Sequence, residues 1–84
     1  MIKKEILQQI CYTQLVYERV NKKLNSSLSP KEIEKKIYHL IHETDESFFH
    51  LKGKNIYINN EEAAVRMTIN KNTCRLITVD KIKK

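Results

Sequence analysis

Arg66 and Arg75 are the residues of this 84-residue chain whose type and placement best suit chemistry on an anion. A guanidinium presents its donors as a fork that matches two oxygens of a phosphate or carboxylate. Both arginines lie in the Val-, Ile- and Thr-rich stretches 64–70 and 73–80, which read as strands. With Lys71-Asn72 as a two-residue hairpin loop, Ile69 opposes Cys74, Met67 opposes Leu76 and Val65 opposes Thr78 on a core face. Thr68 then opposes Arg75, and Arg66 opposes Ile77, on the other face. That register projects both guanidinium groups from one sheet surface, flanked by Thr68 and Asn70 and close to Lys71. Arg19, Lys22 and Lys23 form a second basic group near the end of a helix, where they also complement its dipole. The candidate anion- or nucleic-acid-binding residues are therefore Arg66, Arg75, Lys71, Arg19, Lys22 and Lys23. The competing account is a solvated outer sheet face.

Other reactive side chains assemble into less. His39 and His42 stand three apart in a helical segment, with Glu43 near and His50 downstream, but they fall off its apolar stripe and lack a third fixed ligand. No metal and no cofactor is expected. Cys11 and Cys74 have no CxxC spacing and read as two reduced, buried, small apolar residues. Tyr12, Tyr17, Tyr38 and Tyr57 are scattered and read mainly as core completion. Tyr57 differs, because Ile56 and Ile58 take the face opposite to it. There is no Gly-rich phosphate loop, nucleophile elbow or paired catalytic carboxylates, so no catalytic residue is assigned.

These groups need elements to hold them. Ile2, Ile6 and Ile10 repeat at four-residue spacing and predict a helix over 2–11. Thr13 stands as the N-cap of a second helix carrying Val16, Val20 and Leu24. With no Gly or Pro between them, the two could equally form one kinked helix. Ser29-Pro30-Lys31-Glu32 carries a capping box with proline at the first helical position. Ile33, Ile37, Leu40 and Ile41 then share one face of a helix over 30–43. After Asp45 the period changes to two. Phe48–Leu51 is short and aromatic, Lys52–Asn55 is a turn containing Gly53, the only glycine, and Ile56–Ile58 reads as a strand core. Asn59–Glu62 reads as the next turn. The fold class is α+β: two to three N-terminal helices, then an antiparallel sheet of three to four strands.

The length is that of one domain over 1–84. Formal charge is +6, distributed as +3 over residues 1–25, −2 over 26–50 and +5 over 51–84. A basic surface attracts nucleic acid or acidic protein. Polar Glu5, Gln8 and Gln9 interrupt any signal-peptide core, and no stretch reaches membrane-spanning length. A cytoplasmic protein without membrane contact is expected. The terminal run Lys81-Ile82-Lys83-Lys84 adds charge and reads as a frayed end.

Three stretches carry a resemblance. They are Thr13-x-Leu15-x-x-x-Arg19-Val20, then Gly53-Lys54-Asn55-x-Tyr57, then Thr68-Ile69-Asn70-x-x-Thr73-x-x-Leu76-Ile77-Thr78-x-x-Lys81. Together they resemble a small bacterial family, domain-of-unknown-function family thirty-seven eighty-one, over nearly the whole chain. The resemblance implies a stand-alone bacterial cytoplasmic domain. It implies no activity.

Three functional classes follow from the residues. The leading one is a small non-enzymatic binding module contacting nucleic acid or another anionic partner. Three helices and a hairpin loosely match winged-helix proteins, yet Glu32, Glu34 and Glu43 would repel phosphates from the third helix. The alternative is a protein-interaction module or homodimer, using outward Ile77 and Val79 on an unpaired edge strand. The third is an interferase-type ribonuclease with Arg66 and Arg75 on phosphate and Tyr57 stacking or moving a proton. That topology opens on a strand, and Met1-Ile2 leaves no room for one.

Overall fold

The helices start and stop at residues that satisfy loose backbone groups. In the computed structural model, which describes residues 2–82, α1 spans Ile2–Gln9, α2 Gln14–Leu24 and α3 Pro30–Glu43. Thr13 Oγ1 accepts from the Val16 N–H at 3.3 Å and caps α2. Asn25 ends α2 in the left-handed conformation, φ 52, with its N–H turned back to the Asn21 and Lys22 carbonyls. The capping box of α3 is complete. Ser29 Oγ accepts from Glu32 N–H at 3.2 Å, and Glu32 Oε1 accepts from Ser29 N–H at 2.9 Å. These bonds hold the Glu32 carboxyl below its ordinary range.

The first helix is shorter than its periodicity predicts, and α1 and α2 are separate. After Ile10 the chain extends, and Cys11 makes a parallel bridge to Arg75. Cys11 N–H donates to the Cys74 carbonyl and Leu76 N–H donates to the Cys11 carbonyl, each at 3.0 Å. Ile10 N–H still donates to the Ile6 carbonyl at 2.8 Å, and pairing with a distant strand replaces the helical bond that Cys11 N–H would have made next. Among the described residues, no helix is long and apolar enough to cross a membrane.

A 3₁₀ turn at Glu46–Phe48 leads into β1 (Phe49–Lys52), β2 (Asn55–Asn60), β3 (Val65–Asn70) and β4 (Leu76–Lys81). The sheet is antiparallel throughout, in the order β1-β2-β3-β4. Gly53, at φ 61, opens the two-residue turn between β1 and β2, so that Lys52 pairs Asn55. The protein is α+β, three helices followed by four strands.

The last hairpin departs from the expected register. Its loop runs from Lys71 to Cys74. Asn70 N–H donates to the Arg75 carbonyl at 2.9 Å, and Cys74 N–H donates to the Asn70 carbonyl at 2.8 Å. Asn70 Oδ1 accepts from the N–H groups of Asn72 and Thr73, which holds the longer loop as an Asx turn. Ile69 pairs Leu76, but Thr68 pairs Thr78, so Ile77 is the extra residue of a bulge. Beyond it, Met67 pairs Val79, Arg66 pairs Asp80 and Val65 pairs Lys81. The expected pairs Ile69–Cys74, Met67–Leu76, Val65–Thr78, Thr68–Arg75 and Arg66–Ile77 do not form. The bulge brings Leu76 and Val79, three residues apart, onto one buried face.

That face is the interior. Ile56, Ile58, Val65, Met67, Ile69, Leu76 and Val79 meet Ile6, Val16, Val20, Ile33, Ile37, Leu40 and Ile41 from the helices in one cluster. Asn60 and Thr44 are the polar pair at its margin. Asn60 Nδ2 donates to Thr44 Oγ1 at 3.0 Å, and Thr44 Oγ1 donates to the Leu40 carbonyl at 2.6 Å. Asn60 Oδ1 takes the Ala63 N–H at 2.8 Å. The end of α3 and the β2–β3 turn are thereby tied together.

Candidate functional site

The helices meet the sheet through the Ile56, Met67 and Leu76 face, and on the other face Arg66 is exposed and Tyr57 and Asn59 half-buried, while Thr68 is buried. Pleating sends alternate residues outward. In β2, Ile56, Ile58 and Asn60 are buried while Asn55, Tyr57 and Asn59 are half-buried, so Tyr57 takes the outer face as its neighbours predict. His50 pairs directly with Tyr57, and Asn59 pairs directly with Arg66. Together with Lys52 they line an open recess of about 390 Å³. Every one of its five lining side chains is polar or ionisable. Arg66 Nε donates to Asn59 Oδ1 at 2.8 Å. That bond orients the guanidinium and leaves its two terminal amino groups without a partner among the described residues. Row by row, Tyr57 continues into Thr68 and Thr78 across the sheet.

One end of this face is basic. Lys71 N–H donates to the Lys54 carbonyl at 2.9 Å, which draws the two hairpin loops side by side. Lys52, Lys54 and Lys71 therefore share that end. At the other end Glu43, Asp45, Glu61 and Glu62 gather around a shallow recess with Asn59. Asp45 is held below its ordinary range by accepting from Ser47. A chain of phosphates crossing the sheet is thus attracted at one end and repelled at the other.

The candidate residues divide. Arg66 lines the outer-face recess, and Lys71 stands in the loop at its basic end. Arg75 does not join Arg66. It lines a separate recess of about 340 Å³ with Arg19, Thr13, Leu15 and Ile77, beside the start of α2. The physical reason is the longer loop, which leaves Arg75 opposite Asn70 at the hairpin end rather than opposite Thr68. Arg19 Nη1 donates to the Ile77 carbonyl at 3.1 Å. Lys23 Nζ pairs with Asp80 Oδ1 at 2.8 Å. Those two side chains brace α2 along the outer edge of β4, and Lys22 is exposed on α2. Val79, expected to point outward, is 0% exposed, and Ile77 is half-buried. Val79 therefore adds nothing to an outward edge surface, and of the pair only Ile77 reaches the surface, in the recess beside Arg75.

The remaining reactive groups take structural places. Tyr17 Oη donates to Glu34 Oε2 at 2.5 Å. That bond, with burial behind it, pushes the phenol up to about 12. Tyr12 stacks on Tyr17 at 5.9 Å, and burial followed by Glu34 raises its pKa. His39 meets Glu43 at 3.0 Å, and His42 stacks on Tyr38. Cys74 is buried as expected, but Cys11 is exposed. Ile82 N–H donates to the Ala64 carbonyl at 3.0 Å, so the chain end is held through residue 82. Lys83 and Lys84 lie outside the described residues.

Sequence reasoning missed His50, Lys52 and Asn59. A signal was present. Pairing Lys52 with Asn55 across the Gly53-Lys54 turn places His50 opposite Tyr57, and alternation sends Lys52 outward beside it. What the recess offers is a phenol and an imidazole for stacking, an amide, and two cations for phosphate oxygens.

The chain matches the family described as a protein of unknown function (DUF3781) over residues 4–80, and it belongs to that family. No curated protein and no solved structure matches it.

Proposed function

We propose that this DUF3781 protein is a binding module for single-stranded nucleic acid, working through the outer face of its sheet. The observation that carries the reading is the recess of His50, Lys52, Tyr57, Asn59 and Arg66, in which an aromatic ring and a partly unengaged guanidinium sit on neighbouring strands. Unstacked bases lie on aromatic rings, while cations track the backbone between them. A duplex offers no free base face. α3, the one long helix, carries Glu32, Glu34 and Glu43 and is a poor occupant of a major groove. We read the chain as a bacterial cytoplasmic protein, in keeping with its two free thiols, and as a binder rather than an enzyme.

Fluorescence anisotropy with labelled single-stranded RNA, single-stranded DNA and duplex DNA, each at two salt concentrations, tests the reading. Single strands should bind more tightly than duplex, and affinity should fall with salt by roughly 0.7 log units per log unit for each phosphate engaged. Tyr57→Ala should weaken binding about 5- to 150-fold, the range for losing one stacked base. Arg66→Ala should weaken all sequences alike and lower the salt slope by about 0.7, the share of one phosphate contact on a single strand. Salt-insensitive or undetectable binding of every oligonucleotide, or a Tyr57→Ala variant that binds like the parent, overturns it.

A further inference from the structure

The two cysteines, 11 and 74, are brought together by backbone bonds rather than by chance proximity. The Cys11 N–H and the Cys74 carbonyl are bonded at 3.0 Å, and Leu76 N–H closes the bridge onto the Cys11 carbonyl at the same distance. Residue 11 thus lies across from residue 75, one position from Cys74. Strand spacing with a one-residue offset puts the Cα atoms about 6 Å apart, inside the span that disulfides use. Cys11 Sγ points back along the hairpin loop, 3.6 Å from the Thr73 carbonyl, the peptide group that precedes Cys74. Cys74 holds a left-handed backbone, φ 56, which breaks the strict alternation that would send adjacent side chains to opposite sides. One thiol is exposed and the other is 8% exposed.

We propose that Cys11 and Cys74 are a thiol-oxidation site that closes to an intramolecular disulfide on reaction with a low-molecular-weight disulfide. The exposed Cys11 thiolate attacks one sulfur of that reagent. A bond forms from Cys11 to the sulfur, and the other half leaves as a thiolate that takes up a proton. The Cys74 thiol then loses its proton and attacks the Cys11 sulfur, expelling the second half as a thiol. Two protein thiols are oxidised to one disulfide, and one small disulfide is reduced to two thiols. The bond staples the segment between α1 and α2 onto the β3–β4 loop, where the backbone bridge already holds it. The proposal is independent of nucleic-acid binding.

The test uses the full reduced chain incubated with oxidised glutathione, then quenched with an alkylating reagent for intact mass and peptide mapping. The expected product is a monomer lighter by two hydrogen atoms, with loss of both alkylatable thiols and the Cys11 and Cys74 peptides joined. Cys74→Ser should stop at a glutathione adduct on Cys11. Cys11→Ser should react more slowly than the parent, because burial, with Cys11 and Glu5 nearby, raises the pKa of the Cys74 thiol. A parent chain that keeps the adduct on Cys11 while Cys74 stays alkylatable, a disulfide-linked dimer, or two thiols left unreacted overturns the proposal.

Discussion

The inner and outer faces of the sheet are built from the same strands and obey opposite rules. On β3, Val65, Met67 and Ile69 are buried, while Arg66 between them is exposed. The inner face is apolar and shared with three helices, so each of its side chains is fixed by many neighbours. The outer face carries His50, Lys52, Tyr57, Asn59 and Arg66, exposed or half-buried, around a buried Thr68. Its side chains are ordered only by cross-strand contacts such as the Arg66–Asn59 bond. The difference teaches that stability and recognition are separable in this small domain, one residue apart along a strand.

Substitution at adjacent positions should expose that separation most strongly. Met67→Ala should cost about 2–5 kcal/mol, the range for truncating a buried side chain. Arg66→Ala, its neighbour, should stay within about 0.5 kcal/mol. Urea denaturation midpoints measure both, and equal losses would erase the distinction between the faces. At the margin of the inner face, Asn60→Ala removes a donor to Thr44 and an acceptor from Ala63. Leaving the Ala63 amide and part of Thr44 without partners should cost about 1–3 kcal/mol, read from the same midpoints.

The outer face should also contain a place where polarity is a burden. Thr78 Oγ1 is buried without a hydrogen-bond partner among the described residues. Thr78→Val keeps the shape and removes the unpaired hydroxyl, so the thermal midpoint should rise, with a gain of about 1 kcal/mol. A fall would mean that the hydroxyl has a partner in solution, and that this row of the outer face is more engaged than its contacts indicate.

The smallest effect lies in the helical layer that covers the inner face. The Glu32 carboxyl is held below 4.5 by its bonds to Ser29. A carboxyl whose folded pKa is depressed lends stability above its unfolded value and loses it as pH falls through the folded one. Denaturation of the parent should therefore lose a small increment below about pH 4.5 that Glu32→Gln lacks. Parallel pH profiles of the two proteins would remove the capping carboxylate from the account.

Local signals were legible because their causes act within a few residues. Ser29, Pro30 and Glu32 sit close enough to satisfy one another before any packing, so the start of α3 was readable to the residue. Thr13 did the same for α2, Gly53 located the first hairpin, and Ile56 and Ile58 told which way Tyr57 faces. Two of the five residues of the candidate site were legible in this way, Tyr57 from its isoleucine neighbours and Arg66 from the alternation of β3. His50, Lys52 and Asn59 are placed by the Lys52–Asn55 pairing, which sets His50 against Tyr57, and by alternation along β1 and β2.

By itself the sequence determined the element types, the caps, the apolar stripes and the inward–outward alternation of β2 and β3. Tertiary structure alone decided where α1 ends, how β4 aligns with β3, and that Arg66 and Arg75 occupy different recesses. Each of those outcomes joins groups far apart in the chain. Cys11 leaves a helix because Cys74 and Leu76 supply its backbone bonds. Ile77 bulges because Leu76 and Val79 must both reach the interior while Asn70 holds a longer loop. A strand's register is set by the sum of such contacts across the whole core, and no window of local sequence contains that sum.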